Sequence, residues 1–305
     1  RRTMPSALTA GERRAQKLRE KIIEGFLFLA AASSVFVTLA IVAVLVYESI
    51  GFFRVVPLTE FLFGTTWTPL FADPKFGILP LLGGTLLSTF VALVFVAPVG
   101  LITAIYLSEF ASPRAREIIK PILEMLSGVP TVIYGFFALL FVTPILQRIV
   151  PGLPGFNILS AGLVIGIMII PYVASLSEDA MRAVPQALRD GSYALGATRL
   201  ETAFRVVLPA ATSGVAAAFI LGMSRAVGET MVVAIAAGQQ PNLTFDPREP
   251  AATITAYIVQ VALGDLPHGS IGYQTIFAAG LMLLLLTLVF NIAGFLLRGK
   301  FREAY

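Results

Sequence analysis

Six long apolar stretches alternate with polar, Gly- and Pro-bearing connections along this chain, at residues 26–47, 78–107, 121–147, 158–178, 210–237 and 275–297. Each reaches the roughly 20 residues a helix needs to cross the hydrocarbon of a bilayer. No stretch shows the ten-residue alternation of apolar and polar positions that marks an outer-membrane barrel strand. Pro98, Pro130 and Pro171 fall inside the apolar runs. Inside membranes they are tolerated where neighbouring helices re-satisfy the freed backbone groups. The pattern therefore predicts an all-α integral membrane protein with six transmembrane helices.

Composition agrees with the pattern: 57% of the 305 residues are hydrophobic and only 13% are charged. So little polar chain remains between the spans that no separate soluble domain is expected. The division is a cytoplasmic N-terminal segment, 1–25, followed by a six-span domain, 26–305, with a long polar loop at 179–209. The net charge of +4 gains meaning from where the charges fall. With both termini and the loops at 108–120 and 179–209 on one side, that side holds seventeen of the 22 Lys and Arg residues. The other side holds Arg54, Lys75, Arg148 and Arg248. This asymmetry places both termini in the cytoplasm and explains the basic excess as topology, not nucleic-acid binding. No Cys is present, which excludes disulfides, thiolate catalysis and Cys-ligated metals.

The N-terminal segment has Thr9 and Glu12 at capping-box spacing, followed by basic residues interleaved with Leu18, Ile22 and Ile23. It reads either as an amphipathic helix on the cytoplasmic leaflet or as an ordinary basic flank. On the opposite side, residues 51–77 carry Phe52, Phe53, Phe61, Phe63, Trp67 and Phe71. This composition suits an interfacial aromatic belt or, less simply, a surface for an external partner.

The remaining basic residue is Arg225, within "FILGMSRAVGETMVVAIAAG" at 219–238. A charge at the bilayer centre costs roughly 2.5–3.5 kcal/mol on insertion scales, so such residues face protein or an aqueous path. On a continuous helix Glu229, four residues on, shares a face with Arg225 and would neutralise it. Gly214, Ala218, Gly222 and Ala226 recur every four residues, a stripe that admits a close helix neighbour. The pair either fixes helix packing or serves a passing anion. A guanidinium stays charged and presents a planar fork of donors suited to phosphate or carboxylate oxygens.

The loop "MRAVPQALRDGSYALGATRLETAFRVVLPAA", 181–211, carries a second signature. It resembles the cytoplasmic segment of permease subunits of bacterial ABC importers. The family's consensus is Glu-Ala-Ala, three residues, Gly, nine residues, Ile, one residue and Leu-Pro. Here Asp190, Gly191 and Ser192 stand at the first three positions, Gly196 at the glycine, Val206 at the isoleucine and Leu208-Pro209 at the end. The opening triplet departs from that consensus, whereas the spacing is kept. Four further stretches, 61–86, 128–144, 184–202 and 224–233, are together similar to the C-type permease subunit of the phosphate-specific ABC importer.

That resemblance implies a type I ABC importer permease fold, multi-pass in the bacterial cytoplasmic (inner) membrane, with a coupling helix at about 186–200 that docks in a groove of an ATPase. It implies Arg225 and Glu229 as substrate-pathway residues. It further implies a second homologous permease forming a heterodimer, an ATPase subunit dimer, an external phosphate-binding protein and inorganic phosphate as cargo. The chain has no GxxxxGK[ST] loop, so ATP and Mg would be bound by the partner ATPase and no cofactor by this chain. Permeases for sulfate, molybdate or phosphonate are the nearest alternatives. A secondary transporter is disfavoured by the lack of a convincing internal repeat. An intramembrane enzyme would need a nucleophile, acid-base pair or metal site. The lone His268 lies in an external loop, and "SLSED", 175–179, reads as a helix end.

Overall fold

The computed structural model describes residues 10–300. Among them the chain is helical, with two isolated β-bridges, Trp67 to Phe76 and Gly238 to Ala251, and no extended sheet. The first half holds α1 (Ala10–Phe53), α2 (Leu58–Phe63), α3 (Leu79–Ile105), α4 (Pro113–Ser127), α5 (Thr131–Phe137) and α6 (Thr143–Ile149). The second half holds α7 (Ile158–Arg182), α8 (Gln186–Ala194), α9 (Arg199–Thr202), α10 (Leu208–Ala210), α11 (Thr212–Val227), α12 (Met231–Ala236), α13 (Ile254–Ala262) and α14 (Ile271–Lys300). Wide π turns extend α3 at Tyr106–Phe110, join α5 to α6 at Ala138–Val142, and follow α9 at Ala203–Val207.

Five segments are long and apolar enough to span a bilayer: α1, α3 with its π extension, α5–α6, α7 and α14. A sixth arises if Arg199–Ala210 and Thr212–Val227, bent by 73° at their junction, are one broken span. Two expected spans are corrected. The stretch 121–147 is not one helix: α4 ends at Ser127 and the crossing segment is Thr131–Ile149. Pro130 lacks a backbone N–H and pushes the preceding residue out of the helical region, so the helix stops at Gly128. By contrast Pro98 and Pro171 remain inside α3 and α7. The stretch 210–237 is also divided, into α11 and α12, by Gly228, Glu229 and Thr230. At the N-terminus, residues 10–25 belong to the same unbroken helix as the first span. Residues 1–9, and with them Thr9 of the expected capping box, lie outside the described residues.

α7 is the central element, packed against α3 and α11. Its buried face includes Ala161, Ile165, Ile169 and Val173, which join Ala92 and Val96 of α3 in one apolar core. The stripe on α11 makes this approach possible. A Cβ on Gly214 would collide with the Ala180 methyl, and one on Gly222 would lie 2.8 Å from Val173 Cγ2. Ala218 and Ala226 are buried between the same helices. With no water to drive association in lipid, such close backbone contact supplies the van der Waals attraction.

The 51–77 segment departs from the expected belt. Phe52, Phe61 and Trp67 are buried, together with Phe76 and Tyr257, while Phe63 and Phe71 are exposed. Edge-to-face contacts connect them, with Phe52 5.5 Å from Phe76 and Trp67 5.1 Å from Tyr257. Period alone cannot show that this loop folds back over α13. The 238–253 segment also has a structural task at the start of α7. Pro247 and Glu249 carbonyls accept from Leu159 and Ile158 N–H, and Asn157 Oδ1 accepts from Ser160 N–H. These donors would otherwise be orphaned at a buried helix start.

At the other end of α7, a fully buried Glu178 is held among three cations. Its carboxylate lies 3.4 Å from Arg116 Nε, 2.8 Å from Lys120 Nζ and 3.5 Å from Arg182 Nη1. Lys120 also reaches Asp179 at 2.8 Å. Hydrogen bonds to Asp179 and then Glu178 hold the Lys120 ammonium above its usual range. This contribution is therefore complete at neutral pH and is lost only as pH rises through the raised value. The cluster fastens α4 to the end of α7.

Glu178→Ala should destabilise the purified protein by about 1–3 kcal/mol, since it removes the buried carboxylate shared by Arg116, Lys120 and Arg182, which keep access to solvent. Asp179→Asn, at an exposed site, should cost at most about 1 kcal/mol. Gly214→Leu should cost about 1–3 kcal/mol by forcing α11 off α7. Unfolding midpoints in detergent would measure all three.

Candidate functional site

Arg225 sits in the last turn of α11, about 20 Å along that helix from its start at 1.5 Å per residue. Its side chain is exposed on the surface of the chain. The guanidinium carbon lies 5.6 Å from the centroid of the Tyr172 ring on α7. Next to it, Ser224 donates to Asn291 Oδ1 of α14 at 3.3 Å. Tyr172 follows Pro171 within α7 and is half-buried.

The expected Arg225–Glu229 pair is not formed. The helix ends at Val227, with Gly228 as its cap, so the four-residue spacing no longer puts the two side chains on one face. Glu229 instead turns inward and is buried. Its Oε1 accepts from the N–H groups of Met231 at 3.1 Å and Val232 at 3.3 Å, which serves the start of α12. Its carbonyl accepts from the Thr255 hydroxyl of α13 at 2.7 Å. Glu229 thus ties α11, α12 and α13 together. Gly and Thr are poor helix formers, and a carboxylate that can serve the next helix's free N–H groups favours a break.

A guanidinium stacked on a ring differs chemically from one bound to a carboxylate. The aromatic face attracts the cation without neutralising it. Among the described residues the Arg225 side chain makes no hydrogen bond or ion pair, and the residue is exposed, so its donors are available to a ligand. That is the arrangement needed to accept an oxyanion in a bidentate manner.

The 179–209 loop folds into α8 and α9. Asp190 is exposed and its Oδ1 accepts from Gln186 Nε2 at 3.0 Å, while Gly191 faces open space. Ser192 and Thr202 share a hydroxyl hydrogen bond of 2.8 Å that joins the two helices. Gly196 adopts φ +82°, the left-handed conformation that ends a helix at little cost only for glycine. A reciprocal capping box of Thr198 and Glu201 then starts α9. Leu208 and Pro209 form α10, just before the 73° bend into α11. At the turn between α8 and α9, Leu195 is 91% exposed, and Leu200 beside it is also exposed.

Two features of this region escaped sequence reasoning. Leu195 gives an apolar point on an otherwise polar loop. Arg189 of α8, 8% exposed, is bound bidentately by Glu109 at the end of α3, at 2.9 and 3.2 Å. The same guanidinium donates to the carbonyls of Val184 at 2.6 Å and Met181 at 2.8 Å. α8 is thereby fastened to the ends of two membrane helices. Eighty residues separate the partners, and no local pattern pairs them.

Residues 96–303 match the family described as the binding-protein-dependent transport system inner membrane component. The probable ABC transporter permease protein YqgH of Bacillus subtilis strain 168 is 36% identical over 231 residues, 76% of this chain and 74% of that protein. The phosphate transport system permease protein PstC of Mesorhizobium japonicum is 33% identical, covering 78% of each chain. In three dimensions the chain is similar to a bacterial ABC transporter involved in alginate import, with a TM-score of 0.63 at 16% identity over 94% of this chain and 100% of the other. The inward-facing MetNI methionine ABC transporter gives a TM-score of 0.55 at 20% identity, covering 74% and 95%. These likenesses establish the fold of an ABC importer permease and a location in the membrane, and the chain belongs to the binding-protein-dependent transport system inner membrane component family.

Proposed function

We propose that this chain is the transmembrane permease subunit of an ATP-driven phosphate importer and forms half of the translocation pathway. The observation that carries the reading is Arg225: a permanent cation deep in α11, braced by the Tyr172 face and with its donor edge open. The PstC likeness over most of the chain supports phosphate as the cargo. A second homologous permease would close the other half of the path, opposite the exposed face that carries Arg225. The energy would come from a partner ATPase dimer that binds ATP and Mg, and an external binding protein would deliver the anion.

In this reading α8 and α9 form the coupling segment, with exposed Leu195 entering a groove of the ATPase. The Arg189–Glu109 pair would carry motion of α8 to α3 and α7 without slack. Phosphate would bind Arg225 only transiently, because a single guanidinium held by an aromatic face makes a weak site. Glu229 would act as the hinge that keeps α12 and α13 in place as the path opens.

The test is ATP-dependent uptake of phosphate in proteoliposomes holding the co-purified complex and its binding protein, with sulfate and molybdate as competitors. Arg225→Gln should leave the complex assembled and abolish uptake; undiminished uptake would exclude the role given to this residue. Tyr172→Phe should be near normal, and Tyr172→Leu should lower uptake roughly threefold to tenfold through loss of the cation–π contact. Glu229→Gln should preserve assembly and most transport, since its carbonyl still accepts both N–H groups. Glu229→Ala should cost about 1–3 kcal/mol by leaving them unpaired.

A further inference from the structure

Where α8 meets the ends of the membrane helices, a polar cleft of ≈ 390 Å³ opens between the end of α3, the start of α4, the end of α7 and the start of α9. Arg116, Arg182, Arg189 and Arg199 line it, with Glu109 as the carboxylate among them. Gln186, Arg189 and Tyr193 reach it from one face of α8, as their spacing of three and four residues requires. The exposed Leu195 lies beyond that helix, at the turn into α9.

Charge is not balanced within this cleft. Glu109 is bound bidentately by Arg189, four of whose five donors are engaged by that carboxylate and two carbonyls. Arg116 turns its Nη2 and Nε to the Leu107 carbonyl and shares Glu178 with Lys120. Arg182 keeps a single long contact of 3.5 Å to Glu178, and half of its side chain is exposed. Arg199 is exposed, and its side chain takes part in no hydrogen bond or ion pair among the described residues. The cleft therefore holds one guanidinium without a hydrogen-bond or ion-pair partner among the described residues, Arg199, and one, Arg182, held only by its single contact to Glu178, backed by two more that are already anchored.

We propose that this cleft is a second anion site, for a phosphate group, with Arg182 and Arg199 as its mobile donors. Two guanidiniums that converge from different helices suit a tetrahedral oxyanion with several acceptor oxygens better than they suit a planar carboxylate. The phosphate group comes either from free inorganic phosphate or from the headgroup of an anionic phospholipid. The position, at the basic membrane-facing root of the loop, gives both access. A bound phosphate would brace α8 and α9 against α4 and α7, beside the Arg189–Glu109 contact that ties α8 to the end of α3. This inference goes beyond transport and does not depend on the pathway assigned to Arg225.

The test uses the assembled complex in phosphatidylcholine nanodiscs. In one arm inorganic phosphate is titrated at constant ionic strength; in the other, phosphatidylglycerol replaces part of the lipid. Thermal midpoint and hydrogen exchange of residues 186–199 are read in wild type, Arg182→Gln/Arg199→Gln and Arg225→Gln. The expected result is a stabilising shift with slower exchange in 186–199, present in Arg225→Gln, and an apparent affinity weakened by about tenfold or more in the double variant. Response to titrated phosphate identifies the free anion, and response to phosphatidylglycerol identifies the lipid. Arg182→Lys/Arg199→Lys should recover part of the affinity, which a simple folding defect would not allow. The proposal is overturned if neither arm gives a shift, or if the shift persists in the double variant. It is equally overturned if the double variant merely sheds the ATPase while wild type shows no dependence on either anion, which would make the cleft a protein contact.

Discussion

Hydrocarbon offers no hydrogen bonds, so wherever a membrane helix breaks the protein must supply partners for the freed backbone groups. This constraint accounts for the placing of many polar side chains in the chain. Glu229 serves the first N–H groups of α12, Asn157 serves α7, and Thr253 accepts from Ala256 at the start of α13. At the opposite kind of end, Arg116 donates to the Leu107 carbonyl where α3 finishes in its π turn. The breaks are thus built features, and the candidate functional residues gather beside them.

The break after Val227 shows how this constraint shapes chemistry. Because Glu229 is occupied with backbone N–H groups, it is withdrawn from Arg225, and the guanidinium rests on Tyr172. A buried carboxylate would have cancelled the charge and competed with an incoming anion for the same donors. An aromatic ring offsets part of the burial cost while leaving the positive potential in place. In the proposed reading, a site of this kind would attract an anion without holding it strongly, as passage would require.

The basic end of the molecule follows a different logic, in which buried ions act as fasteners. Glu178 joins α4 to α7, and Glu109 joins α3 to α8 through Arg189. Removing one member of such a group leaves an unpaired charge, so each cluster resists partial opening. The short helices of the loop are therefore not loosely tethered. α8 and α9 are joined to each other by the Ser192–Thr202 hydroxyl pair, and α10 leads directly into the 73° bend. Displacement of α8 has a stiff route to α3 and α7 and a second route to α11.

Much of this architecture was legible along the chain. Apolar run length sufficed for an all-helical membrane chain of five or six spans, and the four-residue recurrence of Gly214, Ala218, Gly222 and Ala226 for a close helix contact, because each depends on local composition and period. Gly196 likewise marks the end of a helix by its own backbone freedom. The fate of Arg225 and Glu229 was not legible: spacing alone assumes a continuous helix, and only the packing of α12 and α13 shows that the helix stops between them. The burial of Phe52, Phe61 and Trp67 and the pairing of Arg189 with Glu109 were equally hidden. Those contacts join residues far apart in the chain, and their partners exist only once the helices have assembled.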